Sequence, residues 1–183
     1  MLFRSIILTG GTSKRFGSDK SQASINGKSL LQIVTDGLTD LIIVGPESSI
    51  KARYVQESPI GAGPLAAIGA GLQNVESDLV AIFAIDMPFA PKVLPKLKRA
   101  LKNDAALPID SSGYLQPLAG LYRTSKLRKA LADFETLENK SIKELVNKLN
   151  IDSVEITEMD LLIDIDTKVE LLKAIDLASR LGI

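Results

Sequence analysis

The chain has 183 residues, 45% apolar and 24% charged, with 22 Lys+Arg balanced by 22 Asp+Glu. That length and composition predict one globular domain over 1–183, and the zero net charge argues against a nucleic-acid or membrane-surface partner. The absence of Cys and His excludes thiolate and imidazole metal sites, thiol nucleophiles, a Ser-His-Asp triad and histidine acid–base chemistry. Any chemistry must rest on carboxylates, Lys, Arg, hydroxyls or backbone amides, groups that suit a hard, oxygen-loving metal.

The first apolar run stops at Thr9-Gly10-Gly11, too early for a secretory leader. It predicts a buried strand over Arg4–Leu8 of a cytoplasmic protein. Ser29–Leu38 carries Leu30, Leu31, Val34 and Leu38 at helical spacing. Leu41–Val44 is a continuous apolar run closed by Gly45-Pro46, as in a strand buried on both faces. Tyr54–Gln56 is a weaker strand. Pro64–Val75 predicts a helix turning Leu65, Ile68, Leu72 and Val75 inward. Leu79–Ala84 is a third buried strand, and Pro91–Leu101 a helix opened by a proline. Beyond Asp104, Ala105–Ile109 and Tyr114–Arg123 predict two strands about the turn Asp110-Ser111-Ser112-Gly113. Helices over Thr124–Asp133 and Ser141–Leu149 follow, then short strands over Val154–Ile156 and Leu161–Ile165, then a closing helix over Thr167–Leu181. The alternation predicts an α/β fold: a Rossmann-like, mainly parallel sheet with helices on both faces and a small antiparallel excursion.

The loop after the first strand, Leu8-Thr9-Gly10-Gly11-Thr12-Ser13-Lys14-Arg15-Phe16-Gly17-Ser18-Asp19-Lys20, carries three cations against one carboxylate. In open parallel sheets ligands bind beyond the carboxyl ends of the strands. Glycines let the backbone approach a ligand and aim N–H groups at it. Glycines with fixed cations suit a polyphosphate; the competing reading is a solvated turn. The spacing fits neither a Rossmann fingerprint nor a Walker A loop, because Gln22 stands where the latter needs its first glycine. Gly27-Lys28-Ser29 reads instead as a turn leading into the next helix.

Asp86 falls at the carboxyl end of Leu79–Ala84. Two roles fit it: a ligand for the Mg²⁺ that accompanies a nucleoside triphosphate, which the position favours, or an N-terminal cap for the helix near Pro91. Asp164 and Asp166 flank Ile165, so period-2 alternation puts both on one strand face. Here a cap by Asp166 or Thr167 stands equally with a site role. Glu57 lies in a Gly/Pro loop and either accepts from the ring N–H and amino group of guanine or belongs to a surface loop whose glycines only turn the chain. Gln116 either meets an acceptor or is an exposed strand residue.

Leu8-Thr9-Gly10-Gly11 with Ser13, Arg15, Gly17 and Lys20 resembles the signature loop of the nucleotidyltransferases, and Ile25–Leu31 resembles the segment after it. Gly63-Pro64-Leu65-Ala66-Ala67, Asp86-Met87-Pro88-Phe89, Gln116-Pro117-Leu118 and Asp164-Ile165-Asp166-Thr167 extend the likeness. Within that superfamily the chain is most similar to the molybdenum cofactor guanylyltransferases. The resemblance implies a nucleotide-diphospho-sugar-transferase-like fold, Mg²⁺ as cofactor, and GTP and molybdenum-bound molybdopterin as substrates. It implies Leu8, Thr9, Gly10, Gly11, Lys20, Glu57 and Asp86 around the nucleotide, with Arg15, Lys20 and Asp86 in catalysis. Asp86 and Asp166 would hold metal, and Gln116 and Asp164 the acceptor. Contact with molybdoenzymes or their chaperones follows from the same reading. The alternatives are a sister enzyme (a cytidylyltransferase for the same cofactor, or one for a sugar phosphate or phospholactate) and a non-catalytic carrier of the cofactor. The chain departs from the family at Gly45, where Asn is frequent and a side-chain contact is expected to be lost, and at the Asp164/Asp166 pair, where Asn is common. Glu57 stands where Asp is often found.

Overall fold

The computed structural model describes residues 3–10, 23–158 and 160–183. Its centre is a seven-stranded sheet built from β1 (Phe3–Leu8), β4 (Leu41–Val44), β5 (Arg53–Val55), β6 (Leu79–Ala84), β7 (Ala105–Ile109), β8 (Ala119–Arg123) and β9 (Ile151–Glu155), in the order β5-β4-β1-β6-β8-β7-β9. Only β8 runs against the others, antiparallel to both β6 and β7. The sheet is therefore mainly parallel with an antiparallel insertion, as the alternation predicts.

Period-2 alternation divides the core between the two faces. Ile7, Ile43, Ala81 and Phe83 pack on one side with α1 (Leu30–Thr35), α3 (Leu94–Ala100) and α6 (Lys168–Leu181). Ile6, Ile42, Val80 and Ile82 pack on the other with α2 (Pro64–Leu72), α4 (Thr124–Ala132) and α5 (Ile142–Val146). Leu65, Ile68, Leu72 and Val75 are all buried, as their spacing requires.

Four elements differ from the sequence reading. Asn26 and Gly27, at φ 50° and 81°, form the two-residue turn of a small hairpin between β2 (Ser24–Ile25) and β3 (Lys28–Ser29). The segment is thus a hairpin, and Ser29 then caps α1 through its hydroxyl and Gln32. The Pro91–Leu101 helix is split into a 3₁₀ turn over Ala90–Val93 and α3, because Pro95 enters the first turn of α3 without an N–H. Tyr114–Leu118 is not a strand: the Asp110 side chain takes the Tyr114 N–H, and Pro117 has no N–H to offer a ladder. Leu161–Ile165 is not a strand either. Its amides bond locally, Ile163 N–H to the Asp160 carbonyl, or across to Asp86.

Candidate functional site

The site follows from the strand order. The chain lays β4 and β5 on one side of β1, then crosses to place β6 on the other, which makes the carboxyl ends of β1 and β6 a switch point where a crevice opens. Leu8 pairs with Ala84 in register, and the Ile85 N–H donates to the Leu8 carbonyl at 3.0 Å. The start of the glycine loop and the Asp86 segment are therefore neighbours. Thr9 is fixed toward the adjacent strand: its N–H and its hydroxyl both donate to the Val44 carbonyl, at 3.1 and 3.0 Å.

Asp86, Asp164 and Asp166 meet at this edge, with a carboxylate oxygen from each lying within 4.8 Å of the others. Asp86 comes from the end of β6, and the other two from the loop before α6. Asp86 does not cap the helix that follows: the 3₁₀ turn and α3 have Phe89 and Val93 at their N-cap positions, with no side-chain cap bond. Thr167 caps α6, with Glu170 completing the capping box, and the Asp166 backbone N–H donates to Glu170 at 2.8 Å. Asp86 is thus not at a cap position, and of the two residues that could cap the last helix it is Thr167 that does so. An all-oxygen, three-carboxylate set suits a hard divalent cation such as Mg²⁺.

Glu57 is buried, 7% exposed, in the β5–α2 loop. Its Oε1 accepts from the Gly61 N–H at 3.0 Å, and its Oε2 from the Gln56 amide at 2.6 Å. A Cβ on Gly10 would stand 3.8 Å from Glu57 Oε1, so this carboxylate lies alongside Gly10. Gln56 as the partner of Glu57 was not legible in the sequence. Gly45 shows why its side chain is missing. At φ +143°, a Cβ there would lie 1.9 Å from Thr9 Oγ1, so the glycine admits the Thr9 hydroxyl rather than simply losing a contact.

Gln116 and Asp164 both line a cleft of about 530 Å³ that borders the carboxylate cluster, together with Glu170 and Lys173 of α6. Asp110 and Lys173 also line this cleft, which sequence reasoning missed because one reads as a turn residue and the other as an exposed helix lysine. Gln116 sits in the β7–β8 loop. The phenol of fully buried Tyr122 donates to the Pro117 carbonyl at 2.6 Å and pins that loop from below. Gly11, Arg15 and Lys20 lie outside the described residues. Of the other expected site residues, the structure brings Leu8, Thr9, Gly10, Glu57, Asp86, Asp164, Asp166 and Gln116 to the carboxyl edge of the sheet and its bordering cleft. Among the described residues no helix is long and apolar enough to cross a membrane.

Residues 5–154 match the profile of the MobA-like NTP transferase domain. A probable molybdenum cofactor guanylyltransferase of Bacillus cereus strain Q1 is 31% identical, over 92% of this chain and 94% of that protein. A protein of the same description from Geobacillus sp. strain WCH70 is 32% identical, over 75% of this chain and 79% of its own. The crystal structure of molybdopterin-guanine dinucleotide biosynthesis protein A from Archaeoglobus fulgidus superposes with a TM-score of 0.78 at 24% identity, covering 97% of this chain and 99% of that one. With the family profile spanning most of its length and the fold shared throughout, the chain belongs to the MobA-like NTP transferase family and is a nucleotidyltransferase.

Proposed function

We propose that this protein transfers GMP from GTP to the terminal phosphate of molybdenum-bound molybdopterin, giving the guanine dinucleotide cofactor and pyrophosphate. The observation that carries the reading is the convergence of Asp86, Asp164 and Asp166 at the carboxyl end of β6, beside the loop that leaves β1. When bound, Mg²⁺ supplies neutralisation of phosphate charge. Asp86 and Asp166 are the residues that would hold it, with Asp164 at the junction with the acceptor cleft. The relatives named as probable guanylyltransferases support the choice of donor and acceptor.

The chain's own residues then do three things. Gly10 and Gly11 let the backbone approach the triphosphate, and Arg15 and Lys20 place fixed positive charge on it, a role read from the sequence. Glu57 accepts from the guanine edge; a carboxylate oxygen has a second lone pair beyond the one used by Gly61 or Gln56. Gln116 and Asp164 border the space for the pterin-containing acceptor. The acceptor phosphate is already anionic at neutral pH, so no proton need be removed and a chain without His is sufficient. Catalysis is positioning and charge neutralisation. GTP places the reaction in the cytoplasm, and hand-over of the product brings the protein against molybdoenzymes or their chaperones.

Calorimetric titration with GTP, CTP, ATP and UTP, each with and without Mg²⁺, tests this. GTP binding strengthened by Mg²⁺ is the expected outcome. Tighter CTP binding would favour the cytidylyl sister.

A further inference from the structure

The loop that brings Asp164 and Asp166 to Asp86 ends at the start of α6, and one side chain of that helix reaches back over it. Glu170 Oε2 accepts from the Asp166 N–H at 2.8 Å and from the Thr167 N–H at 2.7 Å. The bond to Thr167 closes the capping box, and the Thr167 hydroxyl accepts the Glu170 N–H in return, at 3.3 Å. The bond to Asp166 is additional, since a capping box is complete without it. It extends one residue upstream, to the backbone of a carboxylate in the cluster.

These two N–H groups belong to the peptide planes on either side of the Asp166 Cα. Peptides are planar, so the rotations between the two planes are φ and ψ of Asp166 alone. Holding both N–H groups on one oxygen restricts both angles, and with them the direction in which the Asp166 side chain leaves the backbone. Upstream, the Asp86 carbonyl holds the Ile165 N–H at 2.9 Å, and the Asp160 carbonyl holds the Ile163 N–H at 2.8 Å. None of these four bonds uses a carboxylate oxygen of the cluster, and Glu170 stands outside the three that converge. Three carboxylates this close repel one another, so the backbone must keep them gathered until a cation arrives. A partner that fixes a ligand from behind without occupying its oxygens has the arrangement of the outer groups around metal sites.

We infer that Glu170 is a positioning residue for the metal site, holding Asp166 against Asp86 by the reach of its side chain rather than by its charge. The inference rests on the reading of the three carboxylates as the Mg²⁺ site. Its bonds are to neutral N–H groups, which any side-chain oxygen of equal reach can accept. Its charge is half-buried beside an open cleft, where solvent screens it. Without these bonds, repulsion turns the Asp166 peptide outward, and part of the binding energy of a cation goes into gathering its ligands. A Glu170 that only stabilised α6 would leave cation affinity alone.

The test is binding of Mn²⁺, a paramagnetic probe for a Mg²⁺ site, to the intact protein without nucleotide, read as the fall of the free-ion resonance. Glu170→Asp keeps the charge but shortens the side chain by one methylene, so the span to the Asp166 N–H is lost. It should weaken Mn²⁺ binding by about tenfold or more, the scale of outer partners of metal ligands. Glu170→Gln keeps the reach and an accepting oxygen, and its affinity should stay within about threefold of the parent, as for loss of a screened charge. Thr167→Ala removes the hydroxyl cap but not the bond from Asp166 to Glu170. It should lower the melting temperature and leave Mn²⁺ affinity unchanged. Amide exchange of the unmodified protein decides the matter if circular dichroism shows Glu170→Asp unfolded: the Asp166 N–H should be protected before any metal is added. Full affinity in Glu170→Asp, an equal loss in Glu170→Gln, a matching loss in Thr167→Ala, or an Asp166 amide that exchanges at the rate of an open chain overturns the inference. Failure of the metal reading registers differently, as no Mn²⁺ binding by the unmodified protein, and it removes the site that Glu170 is inferred to hold. Failure of the guanylyl reading registers as absence of GTP-driven pyrophosphate release, with the Mn²⁺ affinities unaffected.

Discussion

The carbonyl of Asp86 accepts a 2.9 Å hydrogen bond from the backbone N–H of Ile165. Ile165 is fully buried and lies between Asp164 and Asp166. One backbone bond and one apolar side chain thus latch the loop before α6 to the end of β6, and the two flanking carboxylates are carried to the third. The latch does not depend on the side chain at position 86, so the charge there can be removed while the loop stays in place.

Asp86→Asn should therefore fold normally, with a melting temperature within about 2 °C of the parent. Binding of GTP in the absence of metal should change little. On the proposed function, turnover should fall by roughly a hundredfold or more, mainly in kcat, because the lost charge is one that would hold the Mg²⁺ neutralising the reacting phosphates. Mg²⁺-dependent pyrophosphate release measures it. A near-normal rate would take Asp86 out of the metal site.

Gly45→Ala should destabilise the protein by about 2–4 kcal/mol, combining backbone strain at φ +143° with a Cβ 1.9 Å from Thr9 Oγ1. Adding Thr9→Ala removes the hydroxyl and should recover part of the loss, leaving the strain. Urea midpoints of the two variants check this. A double variant no more stable than Gly45→Ala would show that the contact with Thr9 is not the cause.

The strands flanking the site were legible because continuous apolar runs ended by Gly-Pro or Asp-Met-Pro leave few alternatives. The acidic pair was legible for a reason that the structure replaces. Alternation suggested a strand over Leu161–Ile165, yet the two carboxylates share a face because Ile165 is buried and bonded to Asp86. The hydrogen bonds of Gln116 to Asp110 and of Gln56 to Glu57 depend on side-chain rotamers in loops. No periodicity encodes those. The Asn26-Gly27 hairpin carried the strongest short-range signal of its kind, but the flanking strands are only two residues each and the helix behind them dominated the pattern.

Glu57→Gln should lower the preference for GTP over CTP by about tenfold with a small effect on stability. The Gln side chain can still accept from the Gly61 N–H, and the Gln56 amide can turn to meet its NH₂, so the loop keeps its bonds. What is lost is a group that accepts at both oxygens. Competition of the two nucleotides in one turnover assay reads the effect. An unchanged ratio would move base recognition elsewhere.

Acid stability should depend on Asp104. The Asn150 N–H, followed by the Asn150 amide and Lys126, holds its carboxyl below the ordinary 3.8 despite partial burial. A depressed folded-state pKa contributes stability that is complete above the unfolded value and is lost as pH falls through the folded one. The protein should therefore weaken below about pH 4, and Asp104→Asn should be less stable at neutral pH but show a flatter slope in that range. Thermal melts across pH 2.5 to 7 compare the two. Parallel profiles would exclude Asp104 as a contributor.

Product analysis tests the central claim most directly. The purified protein, molybdenum-bound molybdopterin and Mg²⁺ are incubated with GTP or with CTP, and the dinucleotide and pyrophosphate are quantified together. Guanylyl transfer predicts guanine dinucleotide and pyrophosphate in equal amounts from GTP, with CTP consumed far more slowly. Equal or faster use of CTP, or pyrophosphate released from neither nucleotide, would contradict it.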